Sequence, residues 1–127
     1  MTGSGLDRAT LANLDETVEV DMVTPRRDGS LSNRPIWVVV VDGDAYVRSY
    51  RGESGAWYRR ARADGQATIG VDARAIGVGV EPVDDEETNR KVSDAFRAKY
   101  SERSPVPTET MLNDEVSRTT LRLTQSS

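Results

Sequence analysis

Residues 34–82 decide the fold, and they read RPIWVVVVDGDAYVRSYRGESGAWYRRARADGQATIGVDARAIGVGVEP. The apolar and alternating segments of this stretch predict two strands around a tight turn, an arginine-rich helix and two further strands. The order matters because the free amides of a helix N-terminus attract anions. A phosphate-sized anion would therefore fit where the second strand ends and the helix begins.

The first two strands of this stretch flank a tight turn. Residues 36–41 form a continuous apolar run, which is typical of a strand that is buried on both faces, either inside a barrel or at a subunit contact. Asp42 and Gly43 then predict a two-residue hairpin turn. Residues 45–50 follow as the partner strand.

The helix of this stretch is predicted over residues 56–63. Ser54 is expected to be its N-cap, and Gly65 is expected to end it in the left-handed conformation. Alternating residues then predict strands over 67–71 and 74–82.

The rest of the chain supplies elements around this centre. They are a helix within residues 1–15, a strand over 17–23, a loop closed as a hairpin at Asp28 and Gly29, a helix over 86–100, a loop or lid over 101–116, a strand over 117–124 and a frayed tail over 125–127. Six strands joined mostly by hairpins predict a single, mainly β (α+β) domain over residues 1–127. A small antiparallel barrel has few exposed edges and is favoured, with an open α+β sheet as the alternative.

Composition excludes several kinds of site. The chain has 127 residues with no Cys and no His, so disulfides, thiolate nucleophiles, Ser-His-Asp triads and the commonest transition-metal ligand are missing. No metal site is expected, because a helix start explains the acidic run at residues 84–87. The net charge of −4 argues against general nucleic-acid binding. No apolar run is long enough to span a membrane and no signal-peptide core is visible, which predicts a cytoplasmic protein.

The candidate site lies where the second strand of residues 34–82 meets the helix. The predicted cofactor-binding residues are Arg48, Ser49, Tyr50, Arg51, Ser54, Trp57 and Tyr58. The arginines offer forked donors that suit phosphate oxygens, the serines offer hydroxyl donors, and the aromatic residues offer flat surface. The alternative interpretation is an ordinary capped helix with solvated arginines and a core tryptophan. The catalytic residues stay unassigned.

A family resemblance rests on the same stretch. An Arg-Ser strand end, a Gly, a Trp-Tyr-Arg helix start and a Val-Glu-Pro-Val strand occur at residues 48–49, 52, 57–59 and 80–83. In this pattern the chain resembles the deazaflavin-dependent nitroreductases and, more broadly, the flavin-reductase-like split-barrel proteins. Within that group it is similar to an uncharacterised domain-of-unknown-function family of short proteins.

The resemblance implies a six-stranded antiparallel split β-barrel with short helices, usually a homodimer. It also implies a flavin-type cofactor, FMN or the deazaflavin coenzyme, near the subunit junction. The phosphate of that cofactor would lie against Arg48, Ser49, Arg51 and Ser54. The chain departs from the nitroreductases in one respect: it lacks the lysine that they often carry in the phosphate loop, and Glu53 stands next to the expected position.

The predicted function is hydride transfer between a bound cofactor and a small molecule, because a cofactor can supply the electron chemistry in a chain without His or Cys. One alternative is a non-catalytic dimeric binding module that has lost its cofactor. Another is a purely structural dimer. Part of residues 36–41, or Trp37, is expected at the contact between the two subunits.

Overall fold

The computed structural model describes residues 6–125 of the chain. Within that range the strands are β1 (Val20–Pro25), β2 (Leu31–Ile36), β3 (Val39–Val41), β4 (Asp44–Val47), β5 (Gln66–Val71), β6 (Arg74–Pro82) and β7 (Leu121–Gln125). The helices are α1 (Arg8–Glu16), α2 (Ala56–Asp64), α3 (Glu86–Tyr100), α4 (Pro105–Leu112) and α5 (Asp114–Ser117), with a 3₁₀ turn at Gly52–Ser54.

All seven of these strands belong to one antiparallel sheet with the order β2-β1-β5-β6-β7-β4-β3. The edge strands β2 and β3 are separated along the chain only by Trp37 and Val38. The two edges must therefore lie next to each other, so the sheet curls into a split barrel. The predicted mainly β fold is confirmed, with one strand more than expected.

The additional strand is β2, which lies in a segment rich in turn-forming residues. It pairs with β1 through six residues, from Leu31 opposite Pro25 to Ile36 opposite Val20. Four of its six residues are exposed, and Pro35 removes one backbone donor. Polar residues and proline are typical of edge strands, but they conceal the alternation from which strands are predicted.

The apolar run at residues 36–41 is buried on both faces within this chain. Val38 belongs to the core inside the barrel, whereas Val39 belongs to a second core. That second core lies between the outer face of β3 and β4 and the helices, and Phe96 of α3 is fully buried in it. Helix α3 thus covers the outer face of this run. The sequence had left two explanations for its apolar character, a barrel interior or a contact with a partner subunit.

The corner between β2 and β3 is held by two residues at the end of α3. The Tyr100 hydroxyl donates to Val18 O at 2.6 Å and also contacts the Val38 backbone. Lys99 Nζ donates to Val38 O at 2.7 Å and to Leu14 O at 3.0 Å. These side-chain hydrogen bonds fix the corner where the sheet provides none. Burial at the corner also lowers the Lys99 pKa to about 8 and raises the Tyr100 pKa to about 12.

The predicted turns and helix ends are largely confirmed. Asp42 and Gly43 form the β3–β4 turn with φ angles of 50° and 83°. Gly65 ends α2 at φ 73° in the left-handed region, where a glycine has no steric cost. The strand over 74–82 and the helix over 86–100 have the predicted bounds.

The prediction of a loop or lid over residues 101–116 is wrong, because α4 and α5 occupy most of this segment. Two prolines suggested a loop, but Pro105 and Pro107 lie in the first turn of α4. A helix tolerates proline there because its first amides have no partner within the helix. Buried Met111 and Val116 attach the two helices to the second core.

The ends of the chain are described only in part. Gln125 lies in β7 rather than in a frayed tail, while residues 126–127 and the first five residues of the predicted opening helix lie outside the described range. Within residues 6–125, no helix combines the length and apolar character needed to cross a bilayer.

Candidate functional site

A pocket of about 370 Å³ opens beside the segment that links β4 to α2. It is lined by Glu19, Arg34, Pro35, Ile36, Trp37, Arg48, Ser49, Tyr50, Arg51, Gly55, Ala56, Trp57, Pro107 and Met111. Its volume lies within the usual range of small-molecule sites. Five of the seven predicted site residues line it, and the remaining two, Ser54 and Tyr58, do not.

Ser49 has an unusual environment in this pocket. Its side chain is 1 % exposed, and its backbone amide donates to Thr119 Oγ1 at 2.8 Å. Its own hydroxyl Oγ has no hydrogen-bond partner among the residues that the structure describes. A Cβ on Gly55 would overlap this hydroxyl, so glycine at position 55 makes room for it. Buried hydroxyls nearly always find partners, so Ser49 Oγ is a candidate binding group of this pocket.

The N-terminus of α2 reaches the same pocket. Gly55, Ala56 and Trp57 line the pocket and are the N-cap and first two residues of this nine-residue helix. Gly55 provides no side-chain cap, and the first amides of a helix lack partners within it. We call Ser49 Oγ, this helix start and Arg51 the anion site. It combines hydrogen-bond donors with the positive end of a helix dipole.

The predicted N-cap role of Ser54 is wrong. The N-cap of α2 is Gly55, and Ser54 is the last residue of the preceding 3₁₀ turn. The Ser54 hydroxyl donates to Arg51 O at 2.9 Å and is exposed. Ser54 therefore shapes the loop without lining the pocket.

Arg48 does not offer its guanidinium to a ligand as predicted. The group is 1 % exposed and lies 5.4 Å from the centre of the Phe96 ring. It donates to Thr120 Oγ1 at 2.8 Å, to Met111 O at 2.9 Å and to both oxygens of Asn89 at 3.0 and 3.2 Å. Burial lowers its pKa to about 10, so the group stays charged at neutral pH. Its donors join α3 and α4 to the barrel, which leaves Arg51 as the exposed arginine of the predicted pair.

Arg51 and Tyr50 are the exposed members of the predicted set. Tyr50 is 54 % exposed at the pocket wall. Gly52 follows them at φ 68°, and a Cβ there would lie 3.3 Å from Glu115 Cγ. The acidic side chain of Glu115 thus packs against the loop that carries Arg51. Glu53, which marked the departure from the nitroreductases, is exposed and does not line the pocket.

The two aromatic residues of the predicted site separate. Trp57 is 7 % exposed and lines the pocket. Tyr58 belongs to the barrel core, where its hydroxyl accepts a 2.8 Å hydrogen bond from Arg62 Nη1. Successive residues of a helix point about 100° apart, so the two side chains leave the helix in different directions and only Trp57 of the pair lines the pocket.

Several residues that line the pocket were not predicted for the site. Trp37 comes from the corner between β2 and β3, and Pro107 and Met111 come from α4. Trp37 was expected at a contact between subunits, and the segment that forms α4 was expected to be a loop. Long-range packing brings these residues to Ser49, and residue spacing carries no signal of it. The described residues also contain no cluster of carboxylates that could hold a metal ion.

The chain belongs to the bacterial family described as "Uncharacterized protein conserved in bacteria (DUF2255)", whose sequence model matches residues 10–123. This family and the likeness to split-barrel proteins are those that the resemblance implied. A search of the curated proteins found no match.

Solved structures share the fold. An F420-H2-dependent reductase, FDR-A, is 16 % identical over 95 % of this chain and 97 % of that chain, with a TM-score of 0.58. A FAD-binding protein from Mesorhizobium loti is 15 % identical over 100 % of this chain and 95 % of that chain, with a TM-score of 0.54. A chain described as a domain-swapped dimer is 16 % identical over 94 % of this chain and 82 % of that chain, with a TM-score of 0.56. At these identities the likeness shows the split-barrel fold.

Proposed function

We propose that this protein binds a flavin-type cofactor, FMN or the deazaflavin coenzyme, with the cofactor's phosphate in the anion site. The observation that carries the proposal is the buried Ser49 hydroxyl, which has no partner among the described residues and lies beside the open start of α2. Leaving such a group unpaired costs about 1–3 kcal/mol. A phosphate oxygen that accepts from it would remove this cost.

The charges and the space around Ser49 support the same ligand. Arg51 is an exposed cation at the pocket wall, and its fork suits phosphate oxygens. The remaining volume is bordered by Trp37, Pro107 and Met111, which suit a flat, largely apolar ring. Two structures of the same fold are described as an F420-H2-dependent reductase and a FAD-binding protein.

When bound, such a cofactor would supply hydride transfer to a small molecule. The residues of the chain hold its phosphate, orient its ring and exclude water from one side of it. Tyr50 lies at the pocket wall with an exposed side chain, so its hydroxyl can donate a proton to a substrate.

The alternative is a dimeric binding module without catalysis. It is favoured by the packing of Glu115 against the loop that carries Arg51, because a nearby carboxylate weakens the attraction for a phosphate dianion. The two candidates differ in one result: a module that has lost its cofactor binds neither FMN nor the deazaflavin coenzyme.

Homodimerisation is part of both candidates. Tyr50 is 54 % exposed at the pocket wall, and Val106, beside the pocket-lining Pro107, is 74 % exposed. A second copy that covers these residues would close the pocket from outside. Sedimentation at micromolar concentration tests this, and a stable monomer would contradict it.

The experiment for the cofactor is a fluorescence titration with FMN, riboflavin and the deazaflavin coenzyme. We expect a dissociation constant near or below micromolar for one phosphate-bearing cofactor, equivalent to about −8 kcal/mol. Ser49→Ala should weaken FMN binding about tenfold or more, since it removes a hydrogen bond to a charged group. Riboflavin has no phosphate, so its affinity should stay the same.

Ser54→Ala is the matched control, because it removes a hydroxyl from the same loop outside the pocket. Its effect on FMN affinity should be less than twofold. Equal losses of FMN affinity in Ser49→Ala and Ser54→Ala would refute the proposal. So would the absence of binding of all three ligands at a concentration of about 10 μM.

A further inference from the structure

Trp37 forms a flat wall at the end of the pocket that lies on the β2–β3 corner. Its ring stacks on Tyr100 with a centroid distance of 3.9 Å and an interplanar angle of 1°. The side chain is only partly buried, and it lines the pocket. One face of the indole is thus covered by Tyr100, and the residue still has surface toward the cavity.

The support behind Trp37 is rigid. Tyr100 is 1 % exposed, and its hydroxyl is bonded to Val18 O and to the backbone of Val38, the residue after Trp37. Lys99 Nζ lies 5.4 Å from the centre of the Tyr100 ring and bonds to Val38 O. These contacts fix the indole plane before any ligand arrives, so little side-chain freedom remains to be lost on binding.

A core tryptophan would not need this arrangement. The buried residues of the second core are already packed by Phe96 and Tyr100, yet Trp37 stays partly exposed at a cavity. Pro107 and Met111 of α4 line the same pocket and supply apolar surface without hydrogen-bonding side chains. An aromatic plane together with apolar groups suits a conjugated ring.

We propose that Trp37 is the stacking platform for the ring of the ligand, and that Tyr100 is the positioning residue that holds it. The ligand class is a planar conjugated heterocycle, and the ring subsite is separate from the anion site. The inference rests on the proposed function for the identity of the ring, but it does not depend on where the phosphate binds. It assigns ring affinity to Trp37 and phosphate affinity to Ser49.

The test uses riboflavin as a ring probe without phosphate and FMN as the same ring with phosphate. Trp37→Leu should weaken both by the same factor, about tenfold or more, since stacking on an aromatic side chain contributes this much to ring binding. Trp37→Phe should recover most of the loss. Ser49→Ala should affect FMN alone.

An absorption spectrum separates stacking from a merely structural role. An electron-rich indole that stacks on an oxidised flavin should give a broad charge-transfer absorption at wavelengths beyond the main flavin band. We expect this absorption in the wild type and in Trp57→Phe, which changes the other pocket tryptophan. It should be absent in Trp37→Leu. Near-UV circular dichroism of the ligand-free Trp37→Leu and Trp37→Phe variants checks that the second core is intact in both.

The two proposals fail in different ways. If FMN and riboflavin bind Trp37→Leu as tightly as the wild type, the ring subsite is refuted while the cofactor proposal stands. If riboflavin binding depends on Trp37 but Ser49→Ala has no effect on FMN, the ring subsite stands and the anion site is refuted. If the wild type binds neither of these probes nor the deazaflavin coenzyme, both are refuted.

Discussion

Replacing Arg48 with methionine should destabilise the fold without removing a ligand contact. The guanidinium is 1 % exposed and donates to Met111 O, to both oxygens of Asn89 and to Thr120 Oγ1. In Arg48→Met the buried carbonyls lose their donor, at about 1–3 kcal/mol each. Relief from burying a charge offsets part of this, so we expect a net loss of about 3 kcal/mol.

Urea denaturation followed by far-UV circular dichroism measures this loss. With a urea dependence of about 1–3 kcal/mol/M for small proteins, the midpoint should fall by about 1–3 M. Arg51→Met is the matched control, because Arg51 is exposed. Its stability should change by less than about 0.5 kcal/mol, while its FMN affinity should fall.

The opposite pattern would refute this reasoning. If Arg48→Met keeps the wild-type midpoint and loses FMN binding while Arg51→Met binds normally, Arg48 is the phosphate ligand. Arg48→Lys adds a second check, since an ammonium cannot reach acceptors on α3, α4 and Thr120 with the geometry of a guanidinium fork. It should recover only part of the stability.

Three further changes test other parts of the structure. Gly55→Ala should destabilise the wild type by about 1–3 kcal/mol, because its Cβ would overlap Ser49 Oγ. In the Ser49→Ala background the same change should cost clearly less. Equal costs in both backgrounds, measured by urea denaturation, would contradict the contact. Burial lowers the Lys99 pKa to about 8 from 10.5, so between these values the unfolded chain holds more protons and stability should rise with pH. The free energy of unfolding of the wild type should therefore rise relative to that of Lys99→Met between pH 7.5 and 9.5. Parallel pH profiles of the two proteins would contradict this. Gly65→Ala should lower the melting temperature, at a cost of about 1 kcal/mol, because φ is 73° at this position; an unchanged melting temperature would contradict the left-handed helix end.

The elements with regular local patterns were predictable. The α3 helix has an acidic start and an apolar stripe that reaches Phe96 and Tyr100, and its bounds match the prediction. The β6 strand alternates clearly and also has the predicted bounds. The Asp42-Gly43 turn and the Gly65 helix end depend on local backbone conformation alone, so two or three residues suffice to predict them.

Elements that depend on distant partners were not predictable to the same degree. Residues 36–41 look like one strand, but a corner at Trp37 divides the run. The barrel core covers one of its faces and the second core covers the other. Arg48 looks like a phosphate ligand from its position at a strand end. Its acceptors on Asn89, Met111 and Thr120 lie 41 to 72 residues away along the chain. The sequence could indicate the loop that carries the site, but not which of its side chains would turn inward.

The place of β7 in the sheet has a consequence for the order in which the protein is made. This strand is the last one along the described chain, yet it lies between β6 and β4. Until Leu121–Gln125 has left the ribosome, the β3–β4 hairpin has no hydrogen-bonded connection to the rest of the sheet. Contacts between residues so far apart along the chain form slowly. The two halves of the nascent protein should therefore stay open to chaperones, or to a second copy of the chain, until synthesis has passed this strand.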